Sequence, residues 1–113
     1  MASTFSHLSA DFVGALPSQI GDTALISGLL VASAGAAGLT TMGTPVVRKL
    51  PGDAVSVVLL LDDCHMIAHT FPSQHLLLLD ILTASGHDAQ KALDVFTRRL
   101  TAREVLCEKR SRG

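Results

Sequence analysis

The stretch from Val55 to Phe71, VSVVLLLDDCHMIAHTF, constrains this chain more than any other. Val57 to Leu61 is a short apolar run, the length of a strand covered on both faces. Asp62-Asp63 breaks it, and a second segment runs from Cys64 to Phe71 before Pro72 closes it. The pattern predicts strand, acidic turn, strand. A thiol directly follows a carboxylate pair, with His65 beside it and His69 five residues on. This is the densest chemistry in the chain.

The segments around it alternate between strand and helix signals. Phe5 to Val13 alternates and reads as a first strand, and Gly14 to Gly21, holding Pro17, reads as a loop. Asp22 is placed to cap a helix from Thr23 to about Ala34, with Leu25, Ile26, Leu29, Leu30 and Ser33 on one face. Gly35 and Gly38 are expected to end it. Leu39 to Arg48, rich in Thr and Val, reads as a strand bent or at an edge near Pro45, and Leu50-Pro51-Gly52-Asp53 reads as a turn. After the central pair, Leu76 to Thr83 is another apolar run, interrupted by Asp80. Ser85 to His87 is a loop. Asp88 then caps a helix to about Arg103, with Ala89, Ala92, Leu93, Phe96 and Leu100 on one face and Lys91, Arg98 and Arg99 on the other. Glu104 to Glu108 reads as a short edge strand, and Lys109 to Gly113 as a frayed basic tail. The order β-α-β-β-β-α-β fits an α+β fold, a two-layer sandwich.

With 113 residues the chain is one domain, 1–113. A formal charge of −1 gives no electrostatic case for nucleic acid as a partner. Cys64 and Cys107 are too few for a disulfide framework, which points to a reducing cytoplasm. No charged residue occurs between Asp22 and Arg48, so a membrane span is weighed. Gly28, Gly35, Gly38, Gly43 and Pro45 interrupt that segment, and its apolar patches fall short of the ~20 residues a span needs. No membrane partner is expected. A signal peptide is not expected either: the N-terminus lacks a basic region and Asp11 interrupts it.

Ser56, Cys64, His65, His69, Thr70, Pro72, Asp80 and Thr83 fall at the spacings of a known self-cleaving site. This stretch resembles bacterial S-adenosylmethionine decarboxylase, a pyruvoyl enzyme, whose pattern is roughly G-V-S-x7-S-H-x3-H-T-W-P followed by D-x-F-T-C-G. The opening His7 to Phe12, H-L-S-A-D-F, also resembles that family's H-L-x-A-E-F, at a matching distance. The resemblance covers nearly the whole chain and implies an antiparallel sheet with two helices on one face. It implies cleavage between Asp63 and Cys64 into 1–63 and 64–113, with Cys64 as precursor of a covalent pyruvoyl group. That group would form the Schiff base with the substrate's amine. His69 would be the base of the processing step and Ser56 would polarise the carbonyl of Asp63. The family also implies a homodimer of processed protomers with sites at or near the interface, and a role in spermidine synthesis.

Three departures bear on this reading. Cys64 replaces the serine that becomes pyruvoyl, Phe71 replaces a tryptophan, and Ala84 replaces the cysteine that protonates the product. Alanine cannot transfer a proton, and Ser85 beside it is a poor acid near neutral pH. Turnover is therefore expected to be weak and prone to misplaced protonation, which would convert the cofactor to alanine. In the substrate pocket, Leu50 stands where the family has an aromatic residue and Ser73 where it has a glutamate, while Phe71 still offers a stacking face. These changes leave ornithine or arginine open as substrates beside S-adenosylmethionine. Cys64 and Ala84 together also leave open an uncleaved paralogue with a binding or regulatory role.

Zinc is the other reading of the cluster, since Cys64, His65, His69 and His75 are all possible ligands. No CxxC or HExxH accompanies them, and no metal is expected. Without the resemblance, Cys64 reads as a packed cysteine, His69 as a strand histidine bonded to a carbonyl, and Ser56 as an ordinary strand serine.

Overall fold

A computed structural model describes residues 4–113. Six antiparallel strands form one sheet in the order β2-β3-β4-β5-β1-β6. They are β1 (Phe5–Val13), β2 (Val46–Lys49), β3 (Val55–Leu60), β4 (His65–Phe71), β5 (Leu76–Ala84) and β6 (Glu104–Arg112). The helices are α1 (Pro17–Ile20), α2 (Thr23–Ala36) and α3 (Ala89–Arg99). The α+β sandwich read from the sequence is the observed fold, with the two long helices on one face of the sheet.

Alternation explains which face is covered. Successive strand residues point to opposite faces. Leu8, Ala10 and Phe12 of β1, Val57 and Leu59 of β3, Met66 and Ala68 of β4, and Leu77, Leu79 and Ile81 of β5 are all buried. They meet Ile26, Leu29, Leu30 and Ala34 of α2 and Ala92, Leu93 and Phe96 of α3 in one core. Both helix starts are capped as their sequences predict: Asp22 accepts from the Leu25 amide at 3.1 Å and Asp88 from the Gln90 amide at 3.0 Å. Ser33, buried in α2, donates to the Leu29 carbonyl at 2.6 Å, so its hydroxyl is satisfied inside the apolar layer.

The structure corrects several boundaries. The Gly14–Gly21 loop contains α1, which Pro17 starts and which buries Ile20. Helix α2 runs through Gly35 to Ala36, and the turn that ends it has Gly38 at φ 71°. The strand read over Leu39–Arg48 is split. Residues 40–42 pair with 60–62 through Met42 N–H to Leu60 O (2.8 Å) and Asp62 N–H to Thr40 O (3.0 Å). Gly43 at φ 87° and Pro45, which has no amide to donate, interrupt the ladder before β2 resumes it. Helix α3 stops at Arg99, because Leu100 is already extended.

The largest correction is at the end of the chain. Residues 109–112 are not a frayed tail. Strand β6 runs to Arg112 and pairs with β1 along all nine positions, from Val13↔Glu104 to Phe5↔Arg112. It is an edge strand, and its charged side chains suit an edge that must not recruit another sheet.

Candidate active site

The sheet face away from the helices carries the titratable side chains. By register it presents Ser56, Val58 and Leu60 of β3 and His65, Ile67, His69 and Phe71 of β4. Asp80 and Leu82 of β5 and His7 and Ser9 of β1 lie on the same face. No helix covers it among the described residues.

The β3–β4 connection is a tight hairpin. Leu61 N–H donates to Cys64 O at 3.0 Å, leaving Asp62 and Asp63 at the tip. Asp63 is held from the far side of the sheet end: its Oδ2 accepts from the Ala84 amide at 3.2 Å and lies 3.5 Å from His87 Nε2. Its Oδ1 is buried with no hydrogen-bond partner. Cys64, partly buried, borders a cavity of about 330 Å³ lined by Phe5, Asp63, Cys64, Leu82, Arg112 and Gly113. Burial and the neighbouring Asp63 carboxylate push the Cys64 thiol above its ordinary range, while Arg112 pulls the other way. The thiolate therefore forms later in alkali than for a free cysteine.

Ser56 and His69 are directly opposed across β3 and β4, with Ser56 Oγ and His69 Nδ1 2.7 Å apart. They form a ready hydroxyl–imidazole pair, but not beside Cys64 of the same protomer. His69 lies five residues further along extended chain, roughly 17 Å from Cys64. His69 borders a separate cavity with Ser9, Asp11, Ile67, Leu78 and Asp80. Phe71 ends β4, Leu50 follows β2, and Ser73 is exposed in the short turn Pro72–Gln74. All three lie at the sheet end opposite Cys64. Ala84, by contrast, pairs with Phe5 at the Cys64 end, and the exposed Ser85 donates its amide to Thr4 O at 2.9 Å.

The four residues weighed as zinc ligands do not converge. Cys64, His65 and His69 are strung along β4, and His75 is in the turn beyond it at φ 53°. Among the described residues no three His, Cys, Asp or Glu side chains form a metal-ligand set.

Two clusters were not anticipated as site features. His7 Nε2 lies 2.6 Å from Asp80 Oδ1, and His65 Nε2 lies 3.1 Å from Asp80 Oδ2, so one carboxylate on β5 bridges histidines from the strands on both sides. The Asp63–Ala84–His87 contacts are the other. The first joins residues from three paired strands, and the second joins the β3–β4 turn to the end of β5 and the loop after it. In the sequence His7, His65 and Asp80 stood at positions of the family pattern, and Asp80 interrupted the apolar run of β5, but nothing marked them as neighbours.

Three comparisons bear on these observations. The family model described as S-adenosylmethionine decarboxylase matches residues 6–113. The fold is similar to the crystal structure of the adenosylmethionine decarboxylase from Aquifex aeolicus VF5, with a TM-score of 0.89 at 24% identity. That alignment covers 100% of this chain and 93% of the other. No curated protein matches.

Proposed function

The chain belongs to the S-adenosylmethionine decarboxylase family, and from that premise we propose that it is a self-processing, pyruvoyl-dependent decarboxylase. Its substrate is S-adenosylmethionine and its product feeds spermidine and polyamine synthesis in the cytoplasm. The observation that carries this reading is Cys64 closing a tight hairpin and bordering a cavity, with the preceding Asp63 anchored to Ala84. A bond that must be attacked by its neighbour needs such anchoring.

Maturation uses the chain's own atoms. The Cys64 thiolate attacks the carbonyl carbon of Asp63. The S–C bond forms, the peptide C–N bond breaks, and the nitrogen takes a proton, leaving a thioester. A base then removes the Cα proton of residue 64. The electron pair forms the Cα=Cβ bond, the Cβ–S bond breaks, and chain 1–63 leaves as a thiocarboxylate. Water replaces nitrogen on residue 64, ammonia leaves, and a pyruvoyl group begins chain 64–113. Residue 64 suits this group because it already opens onto a cavity with apolar walls, Phe5 and Leu82. Once formed, the group supplies an electron sink for loss of CO2.

His69 is the base and Ser56 the hydroxyl that polarises the Asp63 carbonyl, and both act across a dimer. At roughly 17 Å along β4 they cannot reach Cys64 of their own protomer. The uncovered face also carries exposed apolar side chains: Val46 at 48%, and Leu60 and Leu106 each at 53%. Pairing two such faces about a two-fold axis buries them and turns the Ser56–His69 end of one protomer toward the Cys64 end of the other. The same pairing carries Leu50, Phe71 and Ser73 toward the partner's residue 64, as substrate contacts. Ala84 stands beside the cleavage site without a transferable proton, so Ser85 or His69 takes over reprotonation.

Cys64→Ser tests the reading, because it restores the family residue and changes one atom. The variant is expected to acquire a keto group that a carbonyl reagent detects, and to release CO2 from S-adenosylmethionine. Release from ornithine or arginine alone would move the substrate to basic amino acids. A variant without any keto group would favour an uncleaved subunit that binds rather than catalyses.

A further inference from the structure

The cation nearest this chemistry comes from the segment that reads as a tail. Strand β6 continues to Arg112, which pairs with Phe5, and Phe5 pairs on its other side with Ala84. The Ala84 amide in turn holds Asp63. One row of the sheet thus runs Arg112–Phe5–Ala84 and ends on the turn that presents Cys64. Arg112 is the cation among the described residues lining the cavity that Cys64 borders.

We propose that Arg112 is a positioning residue for maturation: its guanidinium stabilises the Cys64 thiolate and the oxyanion that forms when this thiolate attacks Asp63. This rests on the processing reading above.

The need for a cation follows from the surroundings of the thiol. Attack requires the thiolate. Partial burial disfavours the thiolate, and the Asp63 carboxylate beside it adds to that penalty, with Asp62 also in the turn. From the other elements, His65 on β4 and His7 on β1 are engaged by Asp80, and His87 in the loop before α3 is directed at Asp63. Arg110 is opposite His7 rather than in the cavity row. Among the described residues Arg112 alone carries a fixed positive charge into the cavity, and it keeps that charge throughout the pH range in which a thiol ionises. The attack transfers no charge to Arg112. The thiol proton leaves to the base, the negative charge moves from sulfur to the Asp63 carbonyl oxygen, and as that oxyanion collapses the C–N bond breaks and the nitrogen takes a proton from the base. Because Arg112 is exposed, solvent and salt screen the interaction and its effect is modest.

The test follows alkylation of Cys64 with pH in freshly synthesised chain, in a Cys107→Ser background so that one thiol remains. Arg112→Gln is expected to raise the midpoint of thiolate formation by about half a unit, which is roughly threefold slower labelling on the rising limb. Arg112→Lys should restore most of the difference, and 1 M salt, with a Debye length of about 3 Å, should erase it. Cleavage of the same chains should slow by a similar factor near neutral pH. Coincident labelling profiles in chains that cleave would remove Arg112 from the mechanism and leave processing intact. Shifted profiles in chains that never cleave would overturn the processing reading itself, and with it any maturation role for Arg112.

Discussion

Two chains that cannot mature alone should cut when they are folded together. His69→Ala keeps Cys64 but loses the base, and Cys64→Ala keeps Ser56 and His69 but loses the nucleophile. Each is expected to remain at full length. In a mixed dimer the Cys64 of the first chain faces the partner's His69, so the His69→Ala chain should be cut and the Cys64→Ala chain should stay whole. About half of randomly assorted dimers are mixed, which makes the signal large. The expectation comes from the length of β4: the Ser56–His69 pair, 2.7 Å apart, lies too far along an extended strand to serve its own Cys64. Loss of a general base alone costs about 10²–10⁴-fold, enough to leave the single variants uncut over a short incubation. If co-folding yields no cut chain, the site lies within one protomer or does not form.

Phe96→Ala should be the most damaging core substitution. Phe96 is fully buried on α3 and its ring lies 6.2 Å from that of Phe12 on β1, so it fastens the helical layer to the sheet. Truncation of a buried phenylalanine costs about 3–5 kcal/mol, a large part of the roughly 5–15 kcal/mol that holds a domain of this size. Urea unfolding is expected to show that loss. Leu60→Ala, on the uncovered face, should leave monomer stability nearly unchanged. A cost below about 1 kcal/mol for Phe96→Ala would mean that α3 is not seated on β1 as described.

The parts of the fold legible in the sequence are those with a covered face. Leu8, Ala10 and Phe12 alternate because one side of β1 meets helices, and Ala92, Leu93 and Phe96 recur at helical spacing because α3 has one buried stripe. Strand β6 could not be read in full for the same reason. Glu108 to Arg112 is exposed on both faces, so no hydrophobic period marks it, and only backbone pairing with β1 holds it extended. Pro45 was visible as a bend, but not the left-handed turn at Gly43 that splits the strand before it.

The site was legible as a set of residues and not as a geometry. The spacing of Ser56 and His69 matches a hairpin register, and the structure bonds them. The spacing of Cys64 and His69 suggests closeness, yet a strand carries neighbours in sequence apart at about 3.4 Å per residue. Asp80 between His7 and His65, Asp63 against Ala84 and His87, and Arg112 in the Cys64 cavity depend on the β4–β5 register and on the pairing of β1 with β5 and β6 from the far end of the chain. No local pattern marks such pairings.

The intact mass of the purified protein under denaturing conditions tests the central claim most directly. Self-processing predicts two chains, 1–63 and 64–113. The second should begin with pyruvoyl in place of cysteine, and the first, until it hydrolyses, should end in a thiocarboxylate, heavier than the acid by the difference between sulfur and oxygen. A second chain with an intact N-terminal cysteine would mean that the thioester was hydrolysed without forming the cofactor. A spectrum containing only the 113-residue chain after long incubation would contradict self-processing outright.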